Sequence, residues 1–308
     1  MVVLLIIFSL AILPCFQQEV SAEQPASFDM VVKDFKSGEV LRKSIDQKEL
    51  RAKFEKETVK RGDARYIEGS FGTGKTKSVV ERSNPKNRMD ENPIGIMSVI
   101  GTDSREQITN TTSYPYRTIV YIEVSFENGS VASCSGWLYD DNTVATAGHC
   151  VYDQTNGWIT SATVDPGRNG NYLPYGRAYA TSAHSIAGWV NEGLEAYDFG
   201  ALKLDRSIGN TTGTMGMRVE DTTFSYLGES VAVTGYPGDK HDQGYYYSMW
   251  KGLGTVKDEG GQGKMIFYDV DTANGQSGAP VYQSSSSIGA EDPEPLQVGE
   301  ECAHPPFY

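Results

Sequence analysis

The strongest constraint on the fold is a series of short segments, beginning near Tyr116, in which apolar and polar residues alternate. Residues 118–126 are dense in β-branched and aromatic side chains, and residues 131–138 resume the pattern after Asn128 and Gly129, which form a strong hairpin signal. The same behaviour returns in residues 144–147, 230–234, 245–252, 264–270 and 279–283. Because long helical periodicity is scarce here, the pattern predicts an all-β antiparallel sandwich or barrel, and the region has room for one or two barrels.

The acidity of the chain belongs to that β-rich region. The 308 residues carry 27 Lys and Arg against 40 Asp and Glu, a formal net charge of -13. Residues 1–97 hold 16 of the basic and 14 of the acidic side chains, so residues 98–308 hold 11 and 26 and carry -15. A domain with this balance does not bind nucleic acid by neutralising phosphates, so we expect no nucleic-acid partner. With 39% hydrophobic and 22% charged residues, the chain is neither a disordered polyelectrolyte nor a polytopic membrane protein.

The first 22 residues have the pattern of a secretory signal peptide. Residues 2–13 are an almost unbroken apolar run, and Val20, Ser21 and Ala22 form a small-residue cleavage site. The basic residues that usually precede such a run are missing, and a membrane anchor is the alternative, although the run is short for a membrane span. We therefore predict a secreted, extracellular protein without stable membrane association, folded in an oxidising environment.

Residues 23–97 differ from the β-rich region, because they are rich in Lys, Arg and Glu and poor in aromatic side chains. The sequence from Ser44 to Gln47 fits a capping box, which predicts a charged helix that runs to about Lys60. Beyond Arg61, the Gly, Ser, Asn and Pro residues are typical of a linker. A basic segment between a signal peptide and an acidic domain indicates a propeptide that is removed by proteolysis; a solvated spacer is the alternative.

Residues 69–76 satisfy the phosphate-binding pattern GxxxxGKT, with Lys75 as its lysine. A working phosphate loop needs a buried strand before it and a helix after it. The charged residues 60–65 cannot form a core strand, and Pro85 leaves room for only a short helix. We therefore interpret residues 69–76 as a flexible, cleavable loop, with nucleotide binding as the alternative.

A histidine and two cysteines mark the first candidate catalytic element. His149 follows the predicted strand 144–147 and is adjacent to Cys150, while Cys134 lies upstream across one predicted turn. A bridge between the two cysteines closes a short loop, worth about 3 kcal/mol in the chain-entropy model, and holds the backbone beneath His149. A packed core histidine or half of a metal site is the alternative. No second His or Cys stands at ligand spacing, so we predict no metal.

A serine between glycines is the second element. A serine hydroxyl attacks a carbonyl only when a base removes its proton and amides stabilise the oxyanion. The glycines that flank Ser277 predict a tight turn, which presents its hydroxyl and aims the amides of Gly275 and Ser277 at one point. The α/β-hydrolase pattern GxSxG fails here, because Ala279 replaces its second glycine.

The third element is an acid that fixes the histidine tautomer. Asp198 stands at the head of an apolar strand, residues 199–204, from which its carboxylate can turn inward to a ring nitrogen. Asp153, Asp165 and Asp205 compete for the role but lie in more polar surroundings. We predict that Asp198 is the acid of the site.

The order His149, Asp198, Ser277 and the flanking sequences TAGHC, YDFGALKL and GQSGAP resemble the chymotrypsin-like serine proteases, above all the secreted bacterial glutamyl endopeptidases. The resemblance covers roughly residues 98–283, and residues 98–101 are similar to the start of the mature enzymes. It implies two antiparallel six-stranded β-barrels with the active site between them, a cleavable propeptide, and a monomer that acts on protein or peptide substrates. It also implies that Ser277 is the nucleophile, that His149 is its general base, and that no cofactor is required.

The resemblance leaves two interpretations of substrate specificity. Thr272, five residues before Ser277, matches the pocket hydroxyl with which glutamyl endopeptidases hold the substrate carboxylate. Cleavage just before Ser98 would supply an α-amino group as a second partner for that carboxylate. Asp271 stands where a trypsin-like pocket carries its acid, which favours Lys or Arg and repels Glu. We predict cleavage after Glu or Asp, with Lys or Arg as the alternative.

The C-terminal residues depart from the pattern of the family. Only 31 residues follow Ser277, where the fold needs two further strands and usually a terminal helix. Residues 284–308 are rich in Ser, Glu and Pro, which predicts a disordered tail and an incomplete second barrel. His304 is the candidate for the pocket histidine of the family, and Cys302 has no evident partner once Cys15 leaves with the signal peptide. An inactive, truncated homologue that acts as a binding protein is therefore a further alternative.

Overall fold

The computed structural model describes residues 28–61, 64–77, 79–80, 99–219, 225–260 and 265–283, and this part of the chain is mostly β-structure. The predicted signal peptide (1–22), Ser98 and the predicted tail (284–308, with Cys302 and His304) lie outside the described residues. None of the helices in the described part is both long and apolar enough to cross a membrane.

The N-terminal segment, by which we mean the described residues of 28–80, contains five strands and one helix. Its elements are β1 (Met30–Asp34), β2 (Val40–Lys43), α1 (Gln47–Glu57), β3 (Val59–Arg61), β4 (Ala64–Ile67) and β5 (Val79–Val80). Asp46 caps α1, because its Oδ1 accepts hydrogen bonds from the amides of Lys48 and Glu49 at 2.8 and 3.1 Å. The predicted cap at Ser44 is therefore wrong by two residues. The helix also ends earlier than predicted, because β3 follows it directly.

From residue 99 onward, the chain first builds a six-stranded antiparallel sheet that closes on itself, which we call the closed barrel. The elements of residues 99–204 are, in chain order, β6 (Glu106–Ile108), β7 (Ile119–Phe126), β8 (Val131–Asp140), β9 (Thr143–Ala147), β10 (Tyr152–Asp153), β11 (Gly157–Pro166), β12 (Tyr172–Leu173), β13 (Ala178–Ile186), α2 (Ala187–Glu192) and β14 (Phe199–Leu204). Of these, β6 belongs to the second sheet, which is described below. The barrel strands pair in the order β7-β8-β9-β14-β13-β11, and β11 pairs with β7 to close the sheet. The predicted hairpin is confirmed, since Ser125 pairs with Val131 across a turn in which Gly129 has φ +84°.

Strand β7 has buried side chains on both faces, and these belong to two different cores. Val120, Ile122 and Val124 point into the closed barrel. Ile119 and Tyr121 point the other way, into a cluster that joins the closed barrel to the rest of the domain. The partners of that second cluster include Tyr236, Tyr247, Met249 and Tyr282. The sequence of β7 is a nearly continuous apolar run because the strand is buried on both faces.

The remaining strands form an open five-stranded sheet, which we call the half-barrel. The elements after β14 are α3 (Gly209–Thr212), β15 (Met217–Val219), β16 (Ser230–Gly235), α4 (Asp239–Asp242), β17 (Met249–Gly260), β18 (Met265–Tyr268) and β19 (Val281–Gln283). Four strands pair in the order β18-β17-β16-β19, and β6 pairs with β17. Among the described residues, no strand pairs with the outer edge of β19. The prediction of two antiparallel barrels, with the second incomplete, is confirmed.

The N-terminal segment is bound to edges of the domain. β1 pairs with β13, β4 with β15, and β5 with β12. The amides of Thr73 and Gly74, within the phosphate-loop pattern, donate to the carbonyls of Asn210 and Thr211 at 3.1 and 2.7 Å. The pattern is followed by the strand β5 and not by a helix, so it has no phosphate-loop architecture. Within the described residues, the predicted linker and loop contain β4, β5 and an extended stretch that is hydrogen-bonded to residues 210–214.

Candidate active site

The ends of two neighbouring strands bring two of the predicted residues together. His149 lies in a 3-10 turn, Gly148–Cys150, directly after β9, and Asp198 directly precedes β14. The side chains meet because β9 and β14 are paired, with Phe199 opposite Ala147. His149 Nδ1 lies 2.7 Å from Asp198 Oδ2, and the His149 amide donates to Asp198 Oδ1 at 2.6 Å. The carboxylate therefore orients both the ring and the backbone of His149.

The three competing aspartates are bound to other groups. Asp153 accepts a hydrogen bond from the amide of Asn156 at 2.7 Å. Asp165 accepts one from the guanidinium of Arg168 at 2.7 Å, and Asp205 accepts one from the amide of Tyr179 at 3.0 Å. Asp198 is 1% exposed and sits against the imidazole. Of the four candidates, it has the position that an acid partner of His149 requires.

The electrostatics of this pair favour a protonated histidine. Burial lowers the pKa of the His149 imidazole, but the Asp198 carboxylate outweighs burial, so the pKa lies above its ordinary value. Gly148 makes the close approach possible, because a Cβ at that position would lie 2.7 Å from Asp198 Oδ1. An imidazolium stabilised by a buried carboxylate is the species that a general base forms when it takes a proton from a hydroxyl.

Ser277 lies in a turn between β18 and β19 that packs against the closed barrel. Its carbonyl accepts a hydrogen bond from the amide of Ser135 at 2.8 Å. Gly275 and Gly278 have φ values of +92° and +75°, and a Cβ on Gly278 would collide with the hydroxyl of Thr146. Positive φ angles and close packing therefore require the two glycines that the motif supplies.

The amides of Gly275 and Ser277 are fixed through the peptide groups to which they belong. The carbonyl of Asn274 accepts an amide of the loop after β16 at 2.6 Å, and the carbonyl of Gln276 accepts the amide of Ala279 at 2.9 Å. Because a peptide group is planar, fixing these carbonyls fixes the directions of the two amides. Within the described part of the chain, neither amide donates to another residue. Two N–H groups are thus left for an oxyanion.

His149 and Ser277 line the same cavity, which has a volume of about 80 Å³. Its walls come from both halves of the domain and include Phe126, Asn156 and Asn274. His149 of the closed barrel and Ser277 of the half-barrel therefore border one space.

The predicted disulfide bond joins Cys134 to Cys150. Both cysteines are buried and line the cavity. The bond links β8 to the turn that carries His149, and so restrains the backbone beneath the imidazole.

The two predicted specificity residues are buried and do not line the cavity. Asp271 is 4% exposed and Thr272 is 3% exposed. The Asp271 carboxylate accepts hydrogen bonds from the Ile100 amide at 2.7 Å, the Ser104 amide at 2.8 Å and the Ser104 hydroxyl at 2.7 Å. Burial opposes ionisation, but these hydrogen bonds hold the pKa of Asp271 below its ordinary value. The Asp271 charge is thus engaged within the chain, while Ser98 lies outside the described residues.

Two polar residues outside the sequence motifs, Ser135 and Arg105, contact the turn of the predicted nucleophile. The Ser135 hydroxyl donates to the carbonyl of Gly275 at 2.8 Å. Arg105 Nη1 lies 3.3 Å from Gln276 Oε1, beside the same turn. These partners are 140 and 171 positions apart in the sequence, so no local motif marks them.

Comparisons with known proteins agree with this arrangement. The sequence profile of a trypsin-like peptidase domain matches residues 134–288. Over 223 residues, the chain is 42% identical to a glutamyl endopeptidase of Bacillus licheniformis, covering 72% of this chain and 66% of that protein, slightly less than two thirds of its length. A solved structure of a Glu endopeptidase in complex with MPD is 30% identical, with a TM-score of 0.54, covering 65% of this chain and 94% of that one.

A second relative has a name that points to different chemistry. Over 219 residues, the chain is 39% identical to a Bacillus subtilis protein named extracellular metalloprotease, covering 71% of this chain and 68% of that protein. Within the ranges that the structure describes, no group of three or more His, Cys, Asp or Glu side chains could hold a metal ion. The residues present there do not fit a metal centre.

Proposed function

The chain belongs to the glutamyl endopeptidase family of chymotrypsin-like serine proteases, and from that premise we propose that it is a secreted endopeptidase that cleaves peptide bonds after Glu. One observation carries the proposal: His149 contacts the buried Asp198 beside a cavity that Ser277 also lines. The acid and base come from the closed barrel and the nucleophile comes from the half-barrel. The proposed reaction therefore takes place where the two halves meet.

In this reaction, His149 removes the proton of the Ser277 hydroxyl while Ser277 Oγ attacks the carbonyl carbon of the substrate. The amides of Gly275 and Ser277 donate hydrogen bonds to the oxyanion that forms. His149 gives the proton to the leaving amine, which departs and leaves an acyl-enzyme. Water, deprotonated by His149, then attacks the acyl carbon, and the Ser277 oxygen leaves with that proton. Asp198 remains ionised throughout and keeps the imidazole in the required tautomer.

Two observations support Glu, and not Lys or Arg, before the cleaved bond. The carboxylate of Asp271 already accepts three hydrogen bonds from Ile100 and Ser104, so its charge is not presented to a cationic substrate. The relative at 42% identity is named a glutamyl endopeptidase. On the family resemblance, Thr272 is the proposed hydroxyl donor to the substrate carboxylate, although it is 3% exposed and does not line the cavity, and the α-amino group of Ser98 is the second donor. Such local donors are needed because the domain as a whole repels an acidic substrate.

We also propose that residues 1–22 are a signal peptide and residues 23–97 a propeptide, removed by cleavage before Ser98. A folded propeptide is supported over a spacer by the pairing of five residues of β1 with β13. None of the described residues of 28–80 lines the cavity, so this part of the chain does not fill the site. After cleavage, the mature enzyme acts as a monomer on protein or peptide substrates.

Digestion of a peptide library by the processed protein tests the proposal. We expect cleavage after Glu and more weakly after Asp, and covalent labelling of Ser277 by a fluorophosphonate. Ser277→Ala is the matched control, because it removes one oxygen from the turn, and it should lose both cleavage and labelling. Cleavage after Lys or Arg would instead support the trypsin-like alternative. A folded wild type without cleavage or labelling would support an inactive homologue that acts as a binding protein.

A further inference from the structure

A fully buried arginine lies behind the turn of the nucleophile. Arg105 directly precedes β6 in the half-barrel, and its side chain is 0% exposed. Its five N–H groups donate to both carboxylate oxygens of Asp103, to both of Asp239, and to Gln276 Oε1. Lys240 Nζ also contacts Asp103, at 2.7 Å, so two cations balance two carboxylates. An arginine with all its donors used in this way is held in one orientation.

Gln276 connects this arginine to the reactive turn. It is 2% exposed and immediately precedes Ser277. Its Oε1 accepts hydrogen bonds from Arg105 Nη1 at 3.3 Å and from the amide of Ala273 at 3.0 Å. The backbone amide of Gln276 donates to the carbonyl of Ala273 at 3.0 Å. Gln276 thus closes the turn that begins at Ala273, and the amide of Gly275 lies inside that turn.

The stretch 100–105 contacts the same loop at a second point. The carboxylate of Asp271 accepts the amides of Ile100 and Ser104 and the hydroxyl of Ser104. One end of the loop 271–277 is therefore bound through Asp271 and the other through Gln276. The Gly275 amide lies between these two attachments, and the Ser277 amide belongs to the peptide group that directly follows Gln276.

We propose that Arg105 is a positioning residue for the oxyanion hole, and that it sets the directions of the Gly275 and Ser277 amides through Gln276 Oε1. This inference rests on the proposed function of the site. The proposed role of Arg105 is indirect, because Arg105 acts through Gln276 and does not contact the substrate. The bound substrate has a neutral carbonyl, and the negative charge on its oxygen develops as the tetrahedral intermediate forms. Loosening the turn therefore lowers kcat and leaves KM almost unchanged.

The test compares Arg105→Lys, Gln276→Met and the double variant of the mature enzyme, with a chromogenic peptide that carries Glu before the scissile bond. Lys keeps the charge of Arg105 but loses its fork of donors, and Met keeps the length of Gln276 but accepts no hydrogen bond. We expect each single variant to lower kcat about 10- to 100-fold, up to the loss seen when one oxyanion donor is removed. The double variant should lose no more kcat than the more impaired of the two single variants, because both changes break the same connection, that between Arg105 and Gln276.

Arg177→Lys is the matched control. It makes the same change at an arginine of the closed barrel, which pairs with the buried Asp165 at 2.7 Å. It should lower Tm and leave kcat and KM unchanged. Amide hydrogen exchange over residues 273–277 provides a readout that does not need activity. Exchange should be faster than in the wild type for Arg105→Lys and for Gln276→Met, and unchanged for Arg177→Lys.

Multiplied losses of kcat in the double variant would overturn the proposal, because they would show that the two residues act independently. Unchanged kcat and unchanged exchange in both single variants would overturn it as well. A wild type that cleaves no peptide would contradict the proposed function. In that case, faster exchange in the two variants would still support the positioning role of Arg105, and equal exchange would reject it.

Discussion

The closed barrel and the half-barrel hold their parts of the site in different ways. In the closed barrel, His149 and Asp198 meet because β9 pairs with β14, and six strands enclose one core. In the half-barrel, Ser277 lies on a loop between β18 and β19, and contacts outside its own sheet determine its position. Strand pairing thus fixes the proposed acid and base, whereas hydrogen bonds from other parts of the chain fix the proposed nucleophile.

Ser135 is the residue through which the closed barrel reaches that loop. Its amide donates to the carbonyl of Ser277 and its hydroxyl to the carbonyl of Gly275, both at 2.8 Å. Arg105 holds the same loop from the half-barrel side. Changes at Asp198 should therefore alter the chemistry of the proposed base, whereas changes at Ser135 or Arg105 should alter the alignment of the loop that carries Ser277.

The largest effect is expected where the closed barrel holds the base. Asp198→Asn keeps the shape of the side chain but removes the charge that raises the pKa of His149. We expect kcat to fall about 10⁴-fold, because an amide can hold the wrong imidazole tautomer. Steady-state kinetics with a Glu peptide measure this loss, and circular dichroism checks that the fold persists. Asp205→Asn, at a carboxylate that accepts the amide of Tyr179, should retain wild-type kcat.

The pH profile sharpens the same prediction. In the proposed reaction, the neutral imidazole of His149 is the active form, so activity should fall as the pH drops through a pKa above the ordinary 6.5. Without the Asp198 carboxylate, burial lowers the pKa, and the acid limb of the residual activity should move to lower pH. An acid limb that stays in place in Asp198→Asn would contradict the assignment of this carboxylate as the partner of His149.

The second effect concerns the stability of the closed barrel. Replacing Cys134 and Cys150 together by Ser removes a crosslink between residues 16 positions apart. The free energy of unfolding should fall by about 3 kcal/mol, the chain-entropy cost of a loop of this size. Urea unfolding of the mature protein measures the loss. A reducing agent should destabilise the wild type to the same extent and leave the double variant unchanged.

These features of the closed barrel could be predicted from the sequence because they are local. Asn128 and Gly129 mark the short turn between β7 and β8, and His149 and Asp198 both stand at the ends of apolar strands. The sequence pattern predicts where each strand ends. The side chains of His149 and Asp198 then meet because β9 and β14 are neighbouring strands.

The half-barrel loop and the N-terminal segment could not be predicted in the same way. Arg105 and Gln276 are 171 positions apart, and nothing in the sequence near either residue indicates the other. Residues beyond Arg61 have linker composition, yet β4 and β5 form there because β15 and β12 offer sheet edges. Such strands depend on tertiary partners and not on intrinsic propensity.

The third effect tests the contact between the two halves. Ser135→Ala leaves the carbonyl of Gly275 and the amide of Tyr236 without the hydroxyl that each contacts, at 2.8 and 2.9 Å. We expect a loss of about 1–3 kcal/mol in stability, since both groups are buried, and a fall in kcat from the loosened turn. Thr118→Val, which also removes a buried hydroxyl, should lower stability alone. Equal kcat values in the two variants would show that Ser135 has no part in aligning Ser277.

The smallest effect is expected at Asp271, where the half-barrel loop is bound to Ile100 and Ser104. Burial opposes ionisation, but hydrogen bonds lower the pKa of Asp271 below 3.8. A carboxylate with a lowered folded-state pKa contributes stability above its unfolded pKa, and that contribution disappears as the pH falls through the folded value. Asp271→Asn should cost about 1 kcal/mol at pH 7, because a neutral acceptor replaces a charged one. Urea unfolding measures the difference in the free energy of unfolding between the wild type and Asp271→Asn, which should be smaller at pH 3 than at pH 7. An equal difference at the two pH values would mean that the Asp271 charge contributes no stability.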